Sequence, residues 1–143
     1  MQAIHYQPYV EQYRRMVKTP SPAEIAMAAF AQNTRVRMAA LGVTSDRDLY
    51  RMVVKRAEVS EKTVNNALNA RHDSKIGTLN AVAESLGLPV WVLLIPELPP
   101  ELLQEPDAHR VVRLVQHFIA SNGEGRSHIE NIAAAAAYQS RKQ

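Results

Sequence analysis

Residues 53–96 read VVKRAEVSEKTVNNALNARHDSKIGTLNAVAESLGLPVWVLLIP and contain the pattern that decides the fold. Ser60 precedes Val64 and Leu68, whose spacing of four places them on one face of a helix. A serine at this point can cap the helix, because its hydroxyl accepts a hydrogen bond from an amide of the first turn. Val59, directly before the serine, can pack under the turn. This stretch and the residues just before it therefore predict two short helices, of about 46–57 and 61–70, that meet at the Val59–Ser60 junction. Ser45 is the predicted cap of the first.

Polar side chains form the opposite face of the second helix. At about 100° per residue, the residues opposite the Val64 and Leu68 stripe are Lys62, Asn66 and Asn69, with Thr63 and Asn65 on the flanks. Lysine can donate to guanine, and asparagine can pair with adenine or bind a phosphate. The face therefore carries the groups needed to read a major groove, although an amide-rich face is also typical of an ordinary solvated helix.

Residues 53–96 resemble the DNA-binding domain of the lambda-repressor-like family, also called the Cro/CI or XRE family, and especially its phage and prophage regulators. The matching pattern has two parts separated by a loop, and its positions are Ala57, Val59, Ser60, Lys62, Thr63, Val64, Thr78, Leu79, Val82, Ala83, Leu86, Gly87, Leu88, Pro89, Trp91, Leu93, Leu94 and Pro96. Two positions depart from the family. Glu58 stands in the turn where a small residue, usually glycine, is common, and Tyr50 stands where a phosphate-contacting glutamine is common.

The resemblance implies an all-α fold with a five-helix DNA-binding bundle over residues 22–96, and a sequence-specific transcriptional regulator as the function. We expect a phage or prophage repressor that reads a palindromic operator in duplex DNA as a homodimer or higher oligomer. The expected base contacts are Glu61, Lys62, Thr63, Asn65 and Asn66. The expected phosphate contacts are Ser60, Asn69, Arg71, Lys75, Arg51 and Lys55.

Composition and charge agree with this expectation. Residues 1–75 hold 12 Lys/Arg and 7 Asp/Glu, whereas residues 76–143 hold 5 and 7, so the basic half is the half with the polar helix. Basic surfaces attract nucleic acid through counterion release. The chain has no cysteine, and its five histidines lack metal-ligand spacing, so we expect neither a metal nor a cofactor. The N-terminus lacks the apolar core of a signal peptide, and the apolar run 90–95 is too short to span a bilayer, so a cytoplasmic protein with no membrane partner is expected.

The rest of the chain divides into segments of different composition. Residues 1–21 are rich in tyrosine and arginine and predict an N-terminal arm or extra helix. Ser21 and Pro22 begin a helix that should stop at Gly42, and further helices are expected at about 77–86 and 89–94. The predicted core consists of Val64, Leu68, Leu79, Val82, Ala83, Leu86, Trp91 and Leu94. Four prolines in 96–106 predict a linker at 97–106.

Residues 107–143 predict a helical hairpin with a turn at Asn122–Gly125. Such a hairpin is too small to bury its own apolar faces, so it should fold back on the bundle or pair with a second subunit, and we favour pairing. The residues expected to mediate oligomerisation are Val111, Leu114, Val115, Phe118, Ile119, Ile129 and Ile132.

Other functions fit less well. An antitoxin, or another protein-interaction module built on the same fold, is the main alternative. An enzyme is not expected, because the chain shows no nucleophile–base constellation and no Gly-rich phosphate loop. Cyanases join a similar helical domain to a catalytic C-terminal segment, which has no counterpart here. Residues 107–143 also look too helical to hold the strand-built self-cleaving protease domain of larger phage repressors, so an antirepressor protein, a ligand or degradation is the expected switch.

Overall fold

The computed structural model describes residues 19–71 and 74–142, and within them the chain forms seven α-helices, one short 3-10 helix and no β-strand. The α-helices are α1 (Pro22–Ala40), α2 (Asp46–Val53), α3 (Glu61–Leu68), α4 (Ile76–Ser85), α5 (Val90–Leu93), α6 (Asp107–Ala120) and α7 (Gly123–Ser140), and the 3-10 helix is Pro100–Leu103. The predicted all-α class is confirmed. Most of the predicted N-terminal arm, residues 1–18, lies outside the described residues.

Helix α1 begins with a reciprocal cap. The Ser21 hydroxyl accepts from the Glu24 amide at 3.2 Å, and the Glu24 carboxylate accepts from the Ser21 amide at 2.7 Å. Pro22 occupies the first helical position, where its missing N–H is no loss. Gly42, at φ +72°, follows the helix in the left-handed region that favours glycine. The predicted start at residue 22 and stop at Gly42 are confirmed.

Helices α1 to α5 enclose one apolar core. The fully buried aliphatic and aromatic side chains include one or more from each of these helices: Phe30, Leu49, Val53, Val64, Leu68, Val82, Leu86, Val92 and Leu93. Six of the eight predicted core residues are buried, and the other two, Trp91 and Leu94, are half-buried against the same core. Burial of each large side chain stabilises the fold by about 1.5–3 kcal/mol.

Two buried polar side chains of α1 bind the backbone of distant segments. The Asn33 amide nitrogen donates to the carbonyls of Leu93 at 3.0 Å and Ile95 at 2.9 Å. The Arg37 guanidinium donates to the carbonyls of Leu86 at 3.0 Å and Leu103 at 2.9 Å. These bonds satisfy carbonyls at helix ends that have no partner within their own helix.

The structure differs from the predicted linker at residues 97–106. The four prolines do end the helices, but Leu103 is fully buried and Leu98 packs against the core. Arg37 also donates to the Glu105 carboxylate at 2.8 Å. The segment is therefore held against α1 by two apolar side chains and by hydrogen bonds.

The start of α6 joins the C-terminal helices to the bundle, since Ala108 is buried there and Val112 packs on the core. Helix α7 begins at Gly123, with the Asn122 side chain accepting from the Gly125 amide at 2.9 Å. The predicted turn at Asn122–Gly125 was therefore wrong in extent, because this cap lets the helix start one residue after Asn122. Within residues 19–71 and 74–142, no helix combines the length and the apolar character needed to cross a bilayer.

Candidate functional site

Helix α2 and the turn after it bring the chain to the start of α3. The Ser45 hydroxyl accepts from the Asp48 amide at 3.1 Å and caps α2 as predicted. The helix ends at Val53 rather than at residue 57, so the predicted length was wrong. The amides of Arg56 and Ala57 both donate to the Val53 carbonyl, which tightens the chain into a turn and lets Ala57 and Val59 pack on the core. The turn is longer than the three or four residues usual between the helices of such a motif.

Helix α3 has one buried and one open face. The Ser60 hydroxyl accepts from the Thr63 amide at 3.2 Å and lies 2.8 Å from the Thr63 hydroxyl, so the predicted cap is confirmed. Val64, Ala67 and Leu68 are buried on the inner face. Among the predicted base contacts, Glu61 and Lys62 are exposed, whereas Thr63, Asn65 and Asn66 are partly buried.

A concave region of about 380 Å³ lies between the start of α3 and the start of α4, and we call it the α3–α4 depression. Its lining residues are Glu58, Val59, Ser60, Thr63, Asn66, Ser74, Lys75 and Thr78. Four of these, Ser60, Thr63, Asn66 and Lys75, were predicted DNA contacts, so the fold brings them together across a gap in sequence.

The start of α4 has backbone amides, those of Ile76 and Gly77, that have no hydrogen-bond partner in the described part of the chain. Lys75 is the N-cap of α4, and no described side chain caps the first turn. The amides of a helix start lack partners within the helix and carry partial positive charge. Thr78 lines the depression with 5% of its surface exposed, and its hydroxyl has no hydrogen bond to any described residue. A helix start with a neighbouring lysine suits an oxyanion such as a phosphate.

Three lining residues, Glu58, Ser74 and Thr78, were not predicted as site residues. The sequence marked Glu58 only as an unusual turn residue and Thr78 only as a motif position. The buried Ser74 hydroxyl oxygen has no hydrogen-bond partner among the described residues. The signal that could have found these residues is their position at the helix starts: Glu58 and Ser74 lie just before the caps of α3 and α4, and Thr78 lies in the first turn of α4.

Several predicted contacts lie apart from the depression or are already occupied. The Oδ1 atom of Asn65 is buried without a hydrogen-bond partner in the described chain, and the Asn65 carbonyl accepts from the Asn69 side chain at 2.8 Å. Arg51 forms an ion pair with Asp48 at 3.3 Å. Lys55 lines a different concave region, which it shares with Met52, Arg56 and Ser85. Of these predictions, a base contact by Asn65 agrees least with the structure, because a side-chain oxygen enclosed by protein is not open to a base edge.

Charge around the depression is mixed. Lys75 supplies an ammonium and Glu58 a carboxylate within the lining itself. Lys62 and Arg71 are exposed nearby in the chain, and neither forms an ion pair with a described residue. With the exposed Glu61 also counted, the cations Lys62, Arg71 and Lys75 outnumber the carboxylates of the described residues here by one. This small positive excess favours an anionic partner, which the Glu58 carboxylate repels.

Comparisons with protein-family models, with curated proteins and with solved structures returned no match to this chain. Any function must therefore be argued from the residues and their geometry.

Proposed function

We propose that this chain is a sequence-specific DNA-binding regulator of transcription that places α3 in the major groove. The observation that carries the proposal is the position of α3: its capped, exposed N-terminal half stands beside the open, uncapped start of α4. With its side chains an α-helix is about 10–12 Å across, so a major groove about 12 Å wide admits it. Helix α3 can then contact the base edges while the start of α4 binds the sugar–phosphate backbone of the DNA.

The proposed roles follow from the chemistry of each side chain. Lys62 and Asn66 donate to base edges, and Glu61 accepts from a cytosine amino group. Lys75 and the first amides of α4 hold a phosphate in the α3–α4 depression. Arg71, three residues after the end of α3, holds a second phosphate. Base contacts select the sequence, whereas phosphate contacts set the position of the protein on the duplex.

The family and the kind of regulator make this proposal more specific. The resemblance of residues 53–96 supports a lambda-repressor-like arrangement of α1 to α5 and a phage or prophage repressor as the kind of regulator. Such regulators read palindromic sites with two copies of the reading helix about one DNA turn apart. A palindromic operator is therefore part of the proposal.

The test begins with selection of duplexes from a random pool by the full-length protein. We expect one sequence to be enriched, with inverted symmetry, and binding that weakens steeply as salt rises. Failure to enrich any sequence would contradict the proposal.

Two substitutions then separate the two kinds of contact. Asn66→Ala should weaken binding to the selected site by about 1–3 kcal/mol and relax the preference at one base pair, whereas Lys75→Ala should weaken all duplexes alike and lower the salt slope by about 1. Asn80→Ala, at an exposed amide of α4 outside the depression, is the control and should leave binding unchanged. Equal losses on selected and random DNA for Asn66→Ala would argue against base reading by α3.

A further inference from the structure

Helix α7 contacts α6 near the turn, where Ile129 is partly buried and Arg126 lies over the Phe118 ring, but residues 130–142 are all exposed. None of its residues is buried, and Ile132 is 58% exposed. Its hydrogen bonds to α6 lie at the junction, where the Arg126 guanidinium donates to the carbonyls of Phe118 and Ile119, each at 3.1 Å. Isolated helices of this length are only marginally stable in water, and packing of an apolar face supplies most helix stability in proteins. The exposed apolar face of α7 therefore requires another element to pack on it.

One face of α7 is apolar and flat. At about 100° per residue, one side carries Ile129, Ile132, Ala133 and Ala136, while Asn131 and Tyr138 lie on the opposite side. Alanine side chains let two helix axes approach to about 8 Å. The face therefore favours another helix as its cover.

The charges beside this apolar face favour α7 of a second copy of the chain as its packing partner. Glu130 and Arg141 lie on the same flank, are both exposed, and form no ion pair with a described residue. They are about 16 Å apart along one helix, which is too far to pair within it. Two antiparallel copies would place each Glu130 level with Arg141 of the other copy, and opposite charges would meet twice. A parallel two-fold pair would instead put the two copies of this flank on opposite sides of the contact, so Glu130 and Arg141 of different copies would not meet.

We propose that α7 pairs with α7 of a second copy of this chain, antiparallel, with the two-fold axis between Ala135 and Ala136. This register centres the axis within the alanine run 133–137, where the helices approach most closely, and keeps Ile132 inside the contact. The same patch then serves both copies, as a closed two-fold dimer requires. The inference goes beyond the proposed function and rests on α7 alone.

Sedimentation equilibrium of the full chain without DNA tests whether α7 pairs. We expect a dimer whose dissociation constant rises by about 100-fold or more for Ile132→Glu, because a two-fold interface takes the substitution twice. Asn131→Glu adds the same carboxylate on the opposite face and should leave the constant within about threefold of wild type. Circular dichroism of both variants checks that the helices remain. A wild-type chain that stays monomeric up to millimolar concentration overturns the inference, as do equal effects of the two variants.

Introduced cysteines test the orientation, because the natural chain has none. Under oxidation, Ala136→Cys should form a covalent dimer, since the two copies of this position lie beside the axis. Ile129→Cys should not, because antiparallel pairing separates its two copies by about 20 Å along the helices. Cross-linking of both variants would show parallel pairing and overturn the proposed arrangement.

Charge exchange tests the register. Glu130→Arg and Arg141→Glu should each weaken the dimer by about fivefold to tenfold at low salt, and the double variant should recover wild-type affinity. Additive weakening in the double variant would show that these two residues do not meet. All three measurements omit DNA, so a failure of self-association is distinguishable from a failure of the proposed DNA reading.

Discussion

The Nη2 atom of Arg37 lies 2.8 Å from Oε1 of Glu105, and this ion pair joins α1 to the segment that leads into α6. The two partners have different surroundings, because the Arg37 side chain is 2% exposed and the Glu105 side chain 44% exposed. Glu105 also lies 2.5 Å from Nδ1 of His109, on the first turns of α6. The carboxylate therefore links a buried cation of the bundle to the base of the C-terminal helices.

Replacement of Arg37 by methionine should destabilise the fold. The substitution leaves the carbonyls of Leu86 and Leu103 without their donor, so we expect a loss of about 3 kcal/mol in the free energy of unfolding. Arg35→Met is the matched control in the same helix. Arg35 pairs with Asp46 at the surface, at 3.0 Å, and its loss should lower stability by less than about 1 kcal/mol. Urea unfolding of both variants measures the difference, and similar losses would show that the buried network contributes little.

Stability should depend on pH through Glu105. Hydrogen bonds from Arg37 and then from His109 hold the pKa of the Glu105 carboxyl below its ordinary value of 4.5. A carboxyl with a lowered pKa stabilises the folded state above its unfolded pKa, and this stabilisation is lost as pH falls through the folded pKa. Wild type should therefore exceed Glu105→Gln in stability above pH 4.5, and the difference should shrink below it.

Unfolding of the two proteins over a series of pH values measures this effect. Glu101→Gln, in the neighbouring 3-10 helix, removes an exposed carboxylate that has no ion pair with a described residue. Its stability difference from wild type should change little with pH. A pH-independent difference for Glu105→Gln would contradict the role of the ion pair.

Ser60 allows stability and DNA binding to be separated. Ser60→Ala removes the cap of α3 and should lower the free energy of unfolding by about 1 kcal/mol. Ser60→Asp keeps a capping oxygen near the positive end of the helix and should stay within about 0.5 kcal/mol of wild type. The aspartate adds a negative charge to the α3–α4 depression, so its affinity for every duplex should fall about tenfold. Wild-type binding by Ser60→Asp would show that no phosphate occupies the depression.

Local sequence signals predicted the helix starts and the main apolar faces. Ser21, Ser45 and Ser60 were each predicted as caps, and each hydroxyl accepts from the amide three residues later. Caps and periodic apolar faces are properties of short windows, so the sequence displays them directly. The end of α2 was predicted wrongly, because it depends on where the chain must turn to bury Ala57 and Val59.

Long-range contacts could not be predicted from local pattern. The run at 97–106 has the composition of a linker, but Leu98 and Leu103 pack on the core and Arg37, 66 residues before Leu103, donates to the segment. Thr78 was visible only as a motif position, because the depression that it lines forms where residues 58–66 meet residues 74–78. The candidate site residues were therefore predicted on α3 and at Lys75, and missed at Ser74 and Thr78.

Glu58 provides a test of which anion the α3–α4 depression binds. It is the carboxylate among the lining residues, and it shares the depression with Lys75. If a DNA phosphate is held there, Glu58→Gln removes a repulsion and should raise the affinity for all duplexes by about fivefold at low salt. The gain should diminish as salt screens the charge.

Glu84→Gln is the control for this substitution, since it removes an exposed carboxylate of α4 outside the depression and should leave affinity unchanged. Binding of both variants to the selected site and to random duplexes, over a series of salt concentrations, measures the effect. A loss of affinity only for duplexes that carry one particular base pair would contradict the phosphate assignment. It would instead mean that the Glu58 carboxylate accepts a hydrogen bond from a base, as glutamate does from the cytosine amino group, and that the turn enters the groove together with α3.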